Sequence, residues 1–140
     1  IRIDGLDYRR RDLEGHAVSL SEDAFDADLA ATTQSITVDD FGALLAHLSQ
    51  VHPSRYVRLI EGVDAVALRD VRPFTHQSDA LRFVAFVDRL YDAQVKVIAT
   101  GTPLDAVFAE DMLAGGYRKK YLRAISRIVA LTSGTRTQAA

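Results

Sequence analysis

Two sets of residues in this 140-residue chain have types and spacings that could do chemistry. Asp70 ends an apolar run, Ala65 to Leu68, suited to a buried strand. A carboxylate at such a strand end can hold a metal-bound water. Farther on, Lys119, Arg123 and Arg127 recur every four residues with Lys120 beside them. On a helix they form one basic stripe, opposite Tyr121, Leu122, Ile125, Ile128 and Val129. A guanidinium fork there could neutralise charge on a phosphoryl group.

Each set has an ordinary reading beside the chemical one. Nucleotide hydrolysis needs backbone amides, a lysine and a hydroxyl around the phosphates, as in G-x-x-x-x-G-K-[ST]. None of the three lysines, Lys96, Lys119 and Lys120, stands in that context. Val71 follows Asp70 where a catalytic glutamate would sit, so the one carboxylate could not also orient an attacking water. Asp70 could instead cap a loop or pair with an arginine such as Arg82. The basic stripe could be a solvated helix face.

Other candidates are weaker. Arg82, Asp88, Arg89 and Asp92 share the polar side of one helical segment, where pairs contribute roughly half a kcal/mol or less each. His16, His47, His52 and His76 are scattered, and Pro53 keeps His47 and His52 off a common helix face. No cysteine and no Gly-x-Ser-x-Gly elbow is present. The chain itself is therefore expected to hold no catalytic residue, no metal ligand and no cofactor.

The elements that must position these residues form an α/β pattern. Arg2 to Arg11 reads as an edge strand or arm and Ala17 to Leu20 as a short strand. Ser21 can cap a helix running to Leu29. Ile36 to Val38 is β-prone, and Asp39 or Asp40 can cap a helix from Phe41 to Leu48 with Phe41, Leu44, Leu45 and Leu48 on one face. His52-Pro53-Ser54 breaks it, and a helix from Arg55 to Glu61 ends at Gly62. Ala65 to Leu68, a helix capped by Ser78, and Val95 to Thr100 make a βαβ unit, expected to be parallel and right-handed. Ala80, Phe83, Val84, Val87, Leu90 and Tyr91 form the buried side of that helix. Pro103 is expected to start a helix to Leu113, and a last helix runs from Tyr117 to Leu131. The expected fold is a small, partly parallel sheet with flanking helices in a single domain over 1–140, with an arm or strand region in 1–35.

Bulk properties set the function classes. A composition 48% apolar and 26% charged is that of a globular domain with a real core. A net charge of −2 gives no global pull toward nucleic acid or an anionic membrane. The lack of cysteine fits a reducing cytoplasm, and no apolar run approaches the ~20 residues of a membrane span. The Ile-Arg-Ile-Asp start is expected to be a cut within a longer protein.

The order of strand, helix and strand from Ala65 to Thr102 resembles the Walker B strand, helix and sensor strand of a nucleotide-hydrolysing domain. More specifically, Leu81-Arg82-Phe83 through Asp88-Arg89-Leu90-Tyr91-Asp92, running into Val95-Lys96-Val97, resembles the C-terminal part of the ZapE / Afg-one-like AAA+ ATPases. Tyr56, Leu59, Val66, Asp70 and Val71 match a second stretch of that pattern. Leu122-Arg123-Ala124-Ile125-Ser126-Arg127-Ile128 matches its terminal helix, and Asp7-Tyr8-Arg9 a tripeptide that follows the nucleotide core. The likeness covers most of the chain, with 36–134 as the family-like region; it is strong from Tyr56 onward and weak from Leu13 to Asp40. Arg72-Pro73, Leu45 and the short Thr100-Gly101-Thr102 loop depart from the pattern.

The resemblance implies a cytoplasmic protein of the cell-division and cell-cycle apparatus whose full length hydrolyses ATP with magnesium. This chain would scaffold or complete an upstream nucleotide-binding core of the same protein and be inactive alone. By analogy Arg123, then Arg127, would sense nucleotide, while Arg82, Asp88, Lys119 and Lys120 are candidates for contacts with a partner. Expected partners are that core, further copies of the chain and a division protein. The alternative is a non-catalytic interaction module that recruits an acidic partner through the basic last helix.

Overall fold

The computed structural model describes residues 19–31 and 35–132. The expected arm over 2–11, its Asp7-Tyr8-Arg9 tripeptide, the first half of the Ala17–Leu20 strand and His16 lie outside them. Three parallel strands, β1 (Ile36–Asp40), β2 (Ala65–Val71) and β3 (Lys96–Gly101), stand side by side in chain order. Thr37 pairs with Val66, and Val66 with Val97, so β2 is central and apolar on both faces. Leu20 adds one parallel bridge to Thr100 on the outer edge of β3, its N–H donating to Ala99 O at 2.6 Å.

Helices cover both faces. α1 (Glu22–Ala31) opens with Ser21 Oγ accepting from Ala24 N at 3.1 Å. It covers one face, where Phe25 packs with Leu20, Ala67 and Ile98. α2 (Phe41–Gln50), α4 (Gln77–Asp92) and α6 (Arg118–Thr132) belong to the larger core on the other face. The handedness of parallel crossovers explains the split. The chain passes from beside β3 to the far edge through α1, then returns through α2 and α4, and opposite directions place the helices on opposite faces.

An aromatic chain ties the larger core together. Phe83 of α4 lies 5.5 Å from Phe74, Phe74 5.4 Å from Phe108, and Phe108 4.7 Å from Tyr121 of α6. Such pairs add about 0.5–1.5 kcal/mol each beyond area burial. The loops after β2 and β3 are thereby packed as firmly as the helices; Phe74 N also donates to Val107 O at 2.9 Å.

Of the two capping candidates, Asp40 caps α2, accepting from Ala43 N at 3.1 Å. Several expectations need correction. α4 begins one residue before Ser78, and His76 precedes it without a side-chain cap. The helix expected from Arg55 is a 3₁₀ turn, Pro53–Arg55, followed by the short α3 (Tyr56–Leu59). The helix expected from Pro103 is likewise a 3₁₀ turn, Leu104–Ala106, and a separate α5 (Glu110–Leu113). Val107 and Phe108, both buried, lie in the non-helical stretch between these two turns. On α6, Leu122 is 39% exposed, and Ala124, Leu131 and Thr132 are buried with Tyr121 and Ile128.

Candidate functional site

α4 and α6 pack side by side because each carries one apolar stripe, Phe83, Val84, Val87 and Leu90 on one and Tyr121, Ala124, Ile128 and Leu131 on the other. At the border of that contact the polar residues meet. Asp88 Oδ1 accepts from Arg127 Nη1 at 2.7 Å, and Asp88 Oδ2 accepts from Arg123 Nη2 at 3.2 Å. The Arg127 guanidinium also lies 4.7 Å from the centre of the Tyr91 ring. Arg123 and Arg127 reach one carboxylate because they are four residues apart on one helix face.

The two arginines are not equally committed. Arg127 is 28% exposed and held by both the carboxylate and the ring; Arg123 is 46% exposed and makes one longer bond. A guanidinium has five N–H donors, so Arg123 keeps most of its donors without an acceptor among the described residues. Two guanidinium groups share one carboxylate, so one positive charge is left over at this corner. Chemically the cluster is a fixed cation able to take an anion from outside the described residues.

The remaining candidates are dispersed. Arg82 pairs with Asp79, three residues earlier on α4, at 3.4 Å, and so is not the arginine partner that was one of two roles the sequence allowed for Asp70. Lys119 and Lys120 are exposed and make no ion pair among the described residues. With Arg118 they occupy the first turn of α6, which carries no acid. Cations at that end oppose the helix dipole, and an anionic partner would relieve the conflict. Tyr117, 40% exposed, and Leu122 adjoin them.

The ends of β2 and β3 tell against a phosphate cleft of the chain's own, although open α/β sheets commonly bind ligands there. The ladder slips between Leu68 and Val71, and Asp70 sits in this irregularity with φ 59°. Its N–H donates to Thr100 Oγ1 at 3.1 Å while its carboxylate points outward without a partner among the described residues. Gly101, at φ 98°, packs so closely on Val71 that a Cβ would stand 2.6 Å from the Val71 N and O. Thr102 N donates to Val71 O at 2.8 Å, and Ser19 Oγ to Gly101 O at 2.7 Å. Backbone and hydroxyls close this end on themselves. No group of three His, Asp or Glu side chains among the described residues is placed to share a metal ion.

Sequence reasoning placed Arg123 and Arg127 on one stripe but missed that Asp88 joins them, and it missed Tyr91 as a partner of Arg127. It also missed a buried polar atom near the same helix. Tyr121 is fully buried, and its hydroxyl has no hydrogen-bond partner among the described residues. Burial, and secondarily neighbouring Tyr117, pushes its phenol above the usual tyrosine range. No helix of the described residues is long and apolar enough to cross a membrane.

Residues 17–139 match the family model described as AFG1-like ATPase. No curated protein and no solved structure matches the chain.

Proposed function

The chain belongs to the AFG1-like ATPase family, and we propose that it braces and completes a nucleotide-binding core instead of gripping phosphate itself. The observation that carries this reading is Arg123. It is set in position by Asp88 through a single bond of 3.2 Å, beside the better-held Arg127, with its other donors unpaired among the described residues. A preoriented guanidinium of this kind stabilises charge on a transferring phosphoryl group without reorganising. The closed ends of β2 and β3 support placing ATP and magnesium on the core and not on this sheet.

The test is the rate of ATP hydrolysis by the intact ATPase carrying Arg123→Ala. Loss of turnover by about a hundredfold or more with unchanged thermal stability supports a phosphate-facing arginine. Arg123→Lys should recover little, because an ammonium lacks the planar fork. Full turnover in Arg123→Ala would remove Arg123 from the reaction.

A second reading is favoured by the first turn of α6. Arg118, Lys119 and Lys120, without an ion pair among the described residues and beside exposed Tyr117 and Leu122, suit an acidic segment of a protein partner. By the likeness to ZapE, that partner would belong to the cytoplasmic division apparatus. Reversing Lys119 and Lys120 to Glu would then abolish partner binding and leave ATP turnover intact, whereas Arg123→Ala would do the opposite. Further copies of the chain could also meet here, which sedimentation of the same variants would reveal.

A further inference from the structure

We propose that the outer edge of β1 is a strand-addition site for an extended segment of a partner protein that presents a Lys or Arg side chain to Asp39. This goes beyond the ATPase reading and does not depend on it.

The edge is built for addition. β1 pairs with β2 alone among the described residues, so one row of its backbone donors and acceptors faces away from the sheet. Natural edges are guarded by shortness, charge, Pro or a bulge. β1, Ile-Thr-Val-Asp-Asp, has no Lys, no Pro and an unbroken register to β2, and Val38 stands 47% exposed; its guard is the negative charge of Asp39 and Asp40, which a cationic segment would meet favourably.

Directly beside the edge is a place for a side chain. The register sets Val38 on the face of Ala67, so Thr37 and Asp39 point to the opposite face with Val66 and Leu68. There Thr37 and Asp39 border a hollow of about 190 Å³ walled by Leu44, Leu59 and Phe86, with His47 at its rim. An apolar cavity of about 150 Å³ takes a benzene, so this one has room for one long side chain. A strand laid along β1 offers alternate side chains to that face, which is how strand addition combines main-chain affinity with pocket specificity.

Charge selects the occupant. Asp39 is half-buried, and its carboxylate has no hydrogen bond or cation among the described residues. A Lys or Arg would lay its methylene stem on Leu44, Leu59 and Phe86 and bring its head to Asp39. An acidic segment would meet Asp39 and Asp40 with like charge. A second copy of β1 would crowd the same carboxylates of both copies along one seam.

The test is fluorescence anisotropy on the full chain with a labelled heptapeptide of alternating Thr and Val whose central residue is Lys. A version with central Glu and one with central norleucine serve as comparisons. The Lys peptide should bind about tenfold more tightly than the norleucine peptide and more tightly still than the Glu peptide. Asp39→Asn should erase the preference for Lys, and Ala43→Phe, which fills the hollow, should weaken all three; thermal melts establish that each variant folds. Amide shifts on peptide addition should centre on residues 36–40. Equal affinity for the three peptides, an unchanged preference in Asp39→Asn, or no binding of the Lys peptide overturns the proposal. So does sedimentation showing that β1 edges of two copies pair.

Discussion

Arg127 and Asp88, 39 residues apart in the chain, meet at 2.7 Å and fix α6 against α4. The pair is neither buried nor fully exposed, at 28% and 18% side-chain accessibility. Its coupling should therefore lie above that of an open surface pair. A double-mutant cycle with Asp88→Ala and Arg127→Ala, read by urea unfolding, should give about 1 kcal/mol. Asp88→Ala should be the costlier single change, because it leaves Arg123 and Arg127 facing each other uncompensated. A coupling near zero would reduce the cluster to a crystal-like juxtaposition of solvated charges.

Tyr121→Phe should stabilise the protein. Its hydroxyl is buried without a partner, and such a group costs about 1–3 kcal/mol, so removing it while keeping the ring retains the stack on Phe108. Tyr56→Phe should do the reverse by roughly 1 kcal/mol, since Tyr56 OH donates to Leu48 O at 2.8 Å. Thermal unfolding of the two variants side by side separates them.

The same two phenols set an alkaline limit. Burial raises both, with Arg82 partly opposing it at Tyr56 and Tyr117 adding to it at Tyr121. The unfolded chain ionises its tyrosines near 10. Above about pH 10 the unfolded state therefore releases protons that the folded state keeps, and stability falls as pH rises toward the folded values. Below that it is insensitive to these groups. Tyr121→Phe should make the alkaline loss shallower in a series of unfolding curves from pH 8 to 11.

Gly101→Ala should be among the most damaging single changes, at about 3 kcal/mol or more. It combines φ 98° with a Cβ 2.6 Å from two Val71 backbone atoms that cannot move without breaking the β2–β3 ladder. Gly116→Ala, with open space around the new methyl, should be neutral within about 0.5 kcal/mol.

Arg69 offers a local test of how α1 is held. Its guanidinium bonds Glu22 and Asp26 at 2.9 Å each and covers the Phe25 ring at 4.5 Å. A lysine ammonium lacks the planar fork that spans the two carboxylates while stacking on the ring. Arg69→Lys should speed hydrogen exchange of α1 amides by several-fold with little change in β2 or α4.

The parts of the fold legible in the sequence were those with clean periodicity. β2, α4 and β3 follow from the apolar runs at Ala65 and Val95 and from the helical spacing of Phe83, Val87 and Leu90. The stretch after Pro103 was not legible, because Leu104, Val107 and Phe108 answer to Phe74 and Tyr121 and not to a helical period. The site was half legible. Arg123 and Arg127 share a face by spacing alone, but Asp88 joins them only through the packing of two helices, and nothing local in Asp88-Arg89-Leu90 announces it. Leu122 shows the limit of a two-sided helix reading: its position lies at the margin between the buried stripe and the cations.

The central claim is that phosphate is held by the core this chain completes and not by the chain itself. Isothermal titration of ATP with magnesium into the 140-residue chain addresses it most directly. The account predicts no heat beyond dilution; saturable, magnesium-dependent binding in the micromolar range would contradict it.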